Sequence, residues 1–459
     1  MGFECFKFLP EDLPGFKVHG SQIRIIHEPK EFYQELLERS SSCKSRIVMS
    51  ALYLGTGPME KRLVEMIGES LEKQENLRVK ILLDWCRGTR LVDHESSASV
   101  LAPLKIQAGE RCRVSMYHTP YLRGWLKRML PSKMNEMVGL QHCKVYVFDD
   151  TLIMSGANLS GDYFTNRQDR YVVIEGCSEL ADYYEGLVDS VASFSLVMDK
   201  EEKFETEKEL VNHPHEGQLN EFIKESSGFV RTFLDDQKVK NKVDLEDFDT
   251  LVFPSVQMGQ LNITQDSQVT SKLLRSGEPG GMFHFATGYF NLTDDYMEDM
   301  LEQSQADFSL LMAHPQANGF LGARGPVGGI PSAYTLLANT FYNLVFSRNM
   351  QHRISLYEYQ RPGWTYHAKG LWYSSPLSST LPCLSMVGSP NYGYRSVGKD
   401  LETQVTILTR NNELQHRLGE EQSRLYKQAQ EVNSNTYQQE DRRVPAWVKI
   451  VARLARQFF

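Results

Sequence analysis

Two short segments carry the residues best suited to chemistry. His142-Cys143-Lys144 is followed by Asp149 and then by Gly156-Ala157-Asn158. Later, His367-Ala368-Lys369 is followed by Gly388-Ser389-Pro390-Asn391. In an extended strand, residues i and i+2 face the same side, so each histidine shares a face with its lysine. Two ammonium groups and two Asn amides can hold the oxygens of a phosphodiester and stabilise the charge of its transition state. One imidazole can attack phosphorus while the other protonates the leaving group. A single His-x-Lys is a weak signal and usually marks a satisfied core histidine. Two copies in register within one chain carry far more weight, and together they predict one cleft at a pseudo-twofold axis.

The register comes from a repeat. RIVMSALYLGTG (46–57) recurs as FHFATGYFNLTD (283–294), and VKILLDW (79–85) as FSLLMAH (308–314). RVSMYHTP (113–120) matches RISLYEYQ (353–360), QHCKVYVFDD (141–150) matches YHAKGLWYSS (366–375), and LIMSGANLS (152–160) matches SMVGSPNYG (385–393). The five pairs keep their order at offsets of 225–240 residues, the pattern of a duplicated unit. Apolar runs predict strands at 46–52, 79–84, 113–117, 144–148, 151–155 and 171–175, with equivalents after 250. Helical spacing falls at 59–73, 179–196, 331–347 and 411–430. Strands alternating with helices predict an α/β fold of two lobes, each a mixed sheet flanked by helices. The expected divisions are a first lobe over 1–198, a charged linker or helical insertion over 199–249, a second lobe over 250–440, and a basic amphipathic segment over 441–459.

Composition narrows the function classes. With 23 Phe, 21 Tyr and 5 Trp the chain can bury a core, which excludes global disorder. Mean hydropathy is −0.40, and no apolar run approaches the roughly 18 residues of a spanning helix. A net charge of −8 excludes a globally basic nucleic-acid binder. The seven cysteines are odd in number and lack CxxC spacing, which points to a reducing compartment rather than a disulfide framework. The opening MGFECFKFLPEDLPGF has neither the apolar core of a secretory signal nor the Arg- and Ser-rich character of a transit peptide.

H-x-K-x4-D followed by G-x-N resembles the signature of the phospholipase D superfamily. The first copy matches fully; in the second, Ser374 stands at the Asp position. Within the superfamily the chain is similar, over nearly its whole length, to the eukaryotic mitochondrial phosphatidylglycerophosphate synthase family. The segments that carry this likeness are ALYLGTGP (51–58), GLQHCKVYVFDD (139–150), SGANLSGDYFTNRQDRY (155–171), TGYFNLT (287–293), GWTYHAKGLW (363–372) and GSPNYGYRSVGKDLE (388–402). The resemblance implies a phosphatidyltransferase that moves the phosphatidyl group of CDP-diacylglycerol to glycerol 3-phosphate and releases CMP. This is the committed step of phosphatidylglycerol and cardiolipin synthesis. A phosphatidyl-histidine would form on His142, with His367 as acid and then base. A hydrolase or nuclease using the same site is the alternative, and a non-catalytic lipid- or nucleotide-binding protein the more distant one. The implied catalytic set is His142, Lys144, Asp149, His367 and Lys369, although the family's Asp is mainly a structural partner. Asn158 and Asn391 support the site, and Asp169 and Glu402 are the acids that would accept from histidine Nδ1 and fix the tautomer. No cofactor or metal is required for this chemistry.

Further residues would contact substrate or membrane. Tyr53 and the Gly55-Thr56-Gly57 loop, with Tyr289 in the repeat, would line the cleft. The loop lacks the ending of a Walker A motif and reads better as a tight turn. Arg167, Arg170, Arg395 and Ser396 could reach substrate phosphates. Residues 111–135 hold six basic and no acidic side chains interleaved with apolar ones, including Arg123, Trp125, Lys127 and Arg128. The C-terminus places Trp447, Ile450, Val451, Leu454 and Phe458 on one helical face with Lys449 among them. Such segments suit peripheral binding to an anionic bilayer rather than to nucleic acid, and the resemblance implies the matrix face of the inner mitochondrial membrane.

Overall fold

The computed structural model describes residues 3–124, 135–207, 210–376 and 380–458. The recurring apolar runs are strands. Val145–Phe148, Thr151–Ser155, Tyr171–Ile174, Gly370–Ser374 and Leu384–Gly388 are buried at every position. A strand covered on both faces needs no polar alternation, which is why these segments read as unbroken apolar runs.

The first sheet runs in the order Phe204–Thr206, Leu196–Met198, Cys112–Tyr117, Arg78–Asp84, Arg46–Ser50, Val145–Phe148, Thr151–Ser155, Tyr171–Ile174, Ile23–Ile26. The second runs Ala429–Glu431, Ile354–Tyr359, Asp307–Ala313, Met282–Thr287, Gly370–Ser374, Leu384–Gly388, Leu401–Thr409, Thr250–Met258, Phe16–Val18. From Cys112–Tyr117 to Ile23–Ile26 the first order corresponds strand for strand with the second from Ile354–Tyr359 to Thr250–Met258. In both sheets the first three of these strands are parallel and the rest antiparallel. All five repeated sequence segments fall on corresponding strands, so the two lobes are one unit built twice.

Helices Pro29–Ser42, Pro58–Lys73 and Ser97–Ala108 cover the outer face of the first sheet. Gln265–Arg275 and Ile330–Ser347 cover that of the second. The inner faces share one core, in which Val145, Val147, Met154 and Val172 join Trp372, Val387, Val405 and Ile407. Helices Ser178–Ala192 and Asn412–Tyr426 contribute apolar residues to this same layer.

One expected division is corrected, and a second, the linker or helical insertion over 199–249, is built into the fold. The chain start belongs to the second lobe: Phe16–Val18 pairs antiparallel with Thr250–Met258, and Phe3, Phe6, Leu9 and Leu13 lie in the second lobe's outer core. That partnership is non-local, and no local pattern reports it. The charged stretch over 199–249 is also more than linkage. Phe204–Thr206 extends the first sheet, and helix Leu219–Lys240 buries Phe222, Val230 and Leu234 in the shared core. Its apolar residues recur along one stripe, while its charges dominate the average.

Arg170 was expected at the substrate phosphate; it is instead a clamp between the lobes. Its guanidinium makes paired 2.8 Å bonds to Glu421, donates to the Met386 carbonyl at 2.7 Å and to Ser385 Oγ at 2.8 Å, and lies 3.7 Å over the Trp372 ring. Gly370, at φ 125°, leaves it room: a Cβ there would collide with its Nη1. Removing one partner of a buried ion pair strands the other charge. Arg170→Ala should therefore cost about 3–5 kcal/mol in urea denaturation, whereas a joint Arg170→Met, Glu421→Leu change should cost far less. Equal losses in the two proteins would contradict the clamp.

Candidate active site

The two histidines are held by crossed carboxylates. His142 belongs to the first lobe, and its Nδ1 lies 2.9 Å from Oε2 of Glu402 in the second. His367 belongs to the second lobe, and its Nδ1 lies 2.6 Å from Oδ2 of Asp169 in the first. Backbone bonds cross at the same points. His142 N donates to the Leu401 carbonyl, and His367 N to the Gln168 carbonyl, both at 2.8 Å. Two strands, Arg167–Gln168 and Thr365–Tyr366, pair in parallel to bring Asp169 under His367. A carboxylate on Nδ1–H leaves Nε2 with the lone pair, the tautomer that a nucleophile or base needs.

The lysines close the cluster. Lys144 Nζ donates to the His142 carbonyl at 2.8 Å, and Lys369 Nζ to the His367 carbonyl at 2.6 Å. Lys369 Nζ also lies 3.7 Å from the Asp169 carboxylate. Burial lowers Lys144 to about 7 and Lys369 to about 8, against the pull of the neighbouring carboxylates, which raise both. Burial and the neighbouring lysines hold both imidazoles well below their ordinary value in the empty site. Burial raises Asp169 to about 6 and pushes Glu402 up as well. A phosphate anion entering the cluster would supply the missing charge for both ammonium groups.

The predicted supporting residues divide. Asn158 holds structure around the site: its Nδ2 donates to Tyr163 Oη at 3.2 Å, and its Oδ1 accepts from Leu52 N at 3.3 Å. The buried Oδ1 of Asn391 has no partner among the described residues. Ser396 Oγ donates to Glu402 Oε1 at 2.9 Å, so it positions that carboxylate rather than reaching for a phosphate. Arg395 is half-buried beside His142, but its Nε is 3.0 Å from Asp400 and its Nη2 donates to the Glu136 carbonyl. Arg167 bonds Thr365 Oγ1 and Asp162 and lies 4.7 Å over the Tyr163 ring, near Tyr289. Tyr289 meets the His367 ring edge-on at 5.5 Å. Tyr53 hydrogen-bonds Ser160 at 3.0 Å beneath the Arg87 guanidinium.

Asp149 and Arg123 leave the roles expected of them, and the glycine loop is the tight turn its sequence favours, with no room left for a phosphate. Asp149 is outside the cluster: its carboxylate accepts from the backbone of Lys44, Ser45 and Arg46 and from Ser45 Oγ, and so ties the turn before Arg46–Ser50. In the second lobe Ser374 makes a smaller local bond, to the Thr380 carbonyl. Gly55-Thr56-Gly57 is a turn closed by protein. Glu60, in the first turn of the following helix, accepts from Gly161 N at 2.7 Å, and a Cβ on Gly55 would collide with its Oε1. The helix end that could greet an anion already holds a carboxylate. Arg123 spends its guanidinium on the carbonyls of His213, Pro214, Glu216 and Gly217, so it is unavailable to a membrane. Trp125, Lys127 and Arg128 lie outside the described residues.

Tyr163 escaped the sequence reading. Its Oη is 3.2 Å from His367 Nε2. The short helix Gly161–Thr165 aims it there, five residues after Asn158, and only the family segment around it hinted at a role. Asp400 escaped too; it accepts from Leu140 N at 3.0 Å and pairs with Arg395 beside His142.

No protein-family model matches the chain. It is 41% identical over 486 residues to the mitochondrial CDP-diacylglycerol–glycerol-3-phosphate 3-phosphatidyltransferase of Pongo abelii, an alignment covering 100% of this chain and 86% of that protein. The enzyme of the same name from Gallus gallus is 41% identical over 490 residues, 100% and 87% of the two chains. The chain belongs to the CDP-diacylglycerol–glycerol-3-phosphate 3-phosphatidyltransferase family. A probable member from Dictyostelium discoideum is 38% identical over 98% of this chain and 79% of its own. Among solved structures, the phosphatidylserine synthase of Haemophilus influenzae Rd KW20 superposes with a TM-score of 0.77 over 99% of both chains, at 20% identity, and so shares the fold.

Two groups among the described residues have the composition of a cation site. His142, Asp400 and Glu402 offer ligand atoms within 4.8 Å of one another, but Arg395, Ser396 and the imidazole itself already pair these carboxylates. His213, His215 and Glu216 form the other, in the segment that Arg123 binds.

The lowered lysines have a direct consequence for anion binding. Protonated ammonium groups bind the anion; as pH rises, Lys144 loses its proton first, near 7, and Lys369 next, near 8. Sulfate keeps its charge throughout this range. Its inhibition constant should therefore rise progressively from pH 6.5 to 8.5, and a flat profile would show that neither lysine titrates there.

Proposed function

We propose that this chain transfers the phosphatidyl group of CDP-diacylglycerol to the primary hydroxyl of glycerol 3-phosphate. The observation that carries this reading is the crossed pairing, which brings two imidazoles, each held at Nδ1 by a carboxylate of the other lobe, into one lysine-lined cluster in a member of this family. His142 Nε2 attacks the phosphorus that bears the diacylglycerol, forming a P–N bond as the P–O bond to CMP breaks. His367 enters this step as the imidazolium, its Nδ1–H on Asp169, and donates its Nε2 proton to the CMP oxygen. It then removes the hydroxyl proton of glycerol 3-phosphate, whose oxygen displaces His142 and restores the enzyme. Lys144 and Lys369 balance the charge on the phosphoryl oxygens in both steps.

The surroundings favour His142 as nucleophile. Tyr163 Oη contacts Nε2 of His367, whereas no described residue hydrogen-bonds Nε2 of His142. His142→Ala and His367→Ala should each lower turnover by about three orders of magnitude or more, because the pair acts as one unit. Asp149→Asn should act on stability instead. Acid-labile phosphate trapped on His142 without acceptor supports the order given; an adduct on His367 would reverse it. Release of phosphatidic acid, unaffected by glycerol 3-phosphate, would make the chain a hydrolase.

The membrane-facing part of the reading rests on helix Ala446–Leu454. It buries Val448 and Ala452 and leaves Trp447, Ile450, Val451 and Leu454 exposed, with Lys449 and Arg453 on the same element. Arg456 anchors it beside the cleft through the Leu292 carbonyl, Asn291 and Asp294. No helix of the described residues is long and apolar enough to cross a membrane. In our reading this face lies on an anionic bilayer, at the matrix side of the inner mitochondrial membrane, and receives lipid there. Changing Trp447, Ile450 and Leu454 to Ser should reduce binding to cardiolipin vesicles while sparing turnover of a short-chain micellar donor. Unchanged vesicle binding would remove this helix from the membrane face.

A further inference from the structure

Between the lobes lies a half-open pocket of about 340 Å³ whose lining includes Arg361, Arg424 and Lys427 from the second lobe and Glu28 from the first. Asp169 and Glu421 border it as well, but Asp169 is engaged by the His367 Nδ1 and by Lys369, and Glu421 by Arg170. Glu28 therefore faces three cations alone among the described lining residues. It holds the two arginines loosely: Arg361 Nη1 lies 3.4 and 3.5 Å from its two oxygens, and Arg424 Nη2 lies 3.4 Å away. Charge-assisted pairs that close properly sit near 2.7–2.9 Å, as Arg170 and Glu421 do at 2.8 Å. The guanidinium of Arg361 is already oriented by stacking on Trp364 at 3.5 Å. A planar guanidinium so held matches the fork geometry of phosphate.

We propose that this cavity is a second anion site, which takes a phosphate-bearing small molecule between Arg361, Arg424 and Lys427. Phosphate oxygens would close the distances that Glu28 leaves open and would outnumber its two acceptors. The site shares a wall with the catalytic cluster. Gln168 and Asp169 border the cavity, and the same two residues hold His367 through its backbone N and its Nδ1. Arg361 lies six residues before His367, in the turn that precedes the strand Thr365–Tyr366, which pairs with Arg167–Gln168. Occupancy thus bears on the aim of one imidazole, without contact to the reacting phosphorus.

Calorimetric titration of the full chain with inorganic pyrophosphate tests this. Arg361→Gln with Arg424→Gln should weaken binding about tenfold or more, the loss expected when two charge-assisted contacts go. Glu28→Gln should move affinity the opposite way, by about threefold or more, because it removes a competing carboxylate. The arginine pair should also abolish any effect of pyrophosphate on turnover while leaving basal turnover in place. A parallel titration with CMP separates the sources: competition with pyrophosphate identifies a nucleotide as the ligand, and its absence identifies a smaller phosphate. Pyrophosphate affinity unchanged in both the arginine and the Glu28 variants would overturn the proposal, as would no measurable binding to the wild-type chain.

Discussion

Each histidine takes its carboxylate from the opposite lobe, and most of the interface serves that exchange. Glu402 reaches His142 and Asp169 reaches His367 at hydrogen-bond distances that tolerate little movement between the lobes. A shift of 1 Å would break either contact and free the tautomer. The shared apolar core, the Arg170–Glu421 clamp, the parallel strand pair and the backbone bonds at Leu401 and Gln168 all fix the same relative position. Neither lobe contains a complete site, so the duplication is useful only when the two copies are locked.

Burial sets the protonation of the cluster. Four basic groups share a space from which water is largely excluded, opposite two carboxylates. Desolvation and mutual repulsion hold the imidazoles well below their ordinary value in the empty site and bring the lysines close to losing their protons. An anionic phosphate relieves both penalties at once. The site is therefore matched to a phosphodiester by what it lacks as much as by what it holds. The pseudo-symmetry is broken at the edges: Tyr163, Tyr289 and Arg167 crowd His367, whereas Arg395 and Asp400 flank His142. Two imidazoles in one framework thus meet different surroundings, as attack and proton transfer require.

Much of this was legible in the chain as written. The His-x-Lys pairs, their register, the duplication and the strand positions follow from local spacing and apolar runs, because strands buried on both faces have no other way to be written. The exposed apolar face of the last helix was legible too, since its period is local. The sequence also marked Asp169 and Glu402 as equivalent positions. Only tertiary structure decided that each serves the other lobe's histidine, that the first residues complete the second sheet, and that helix Leu219–Lys240 enters the core. It likewise assigned Arg170 to a clamp, Asp149 to a turn, Glu60 to the glycine loop and Tyr163 to His367. In each of those cases the deciding partner is a side chain or strand distant in sequence. An arginine or aspartate has the same local signature whether it meets substrate or protein; burial and the partner across the fold determine which.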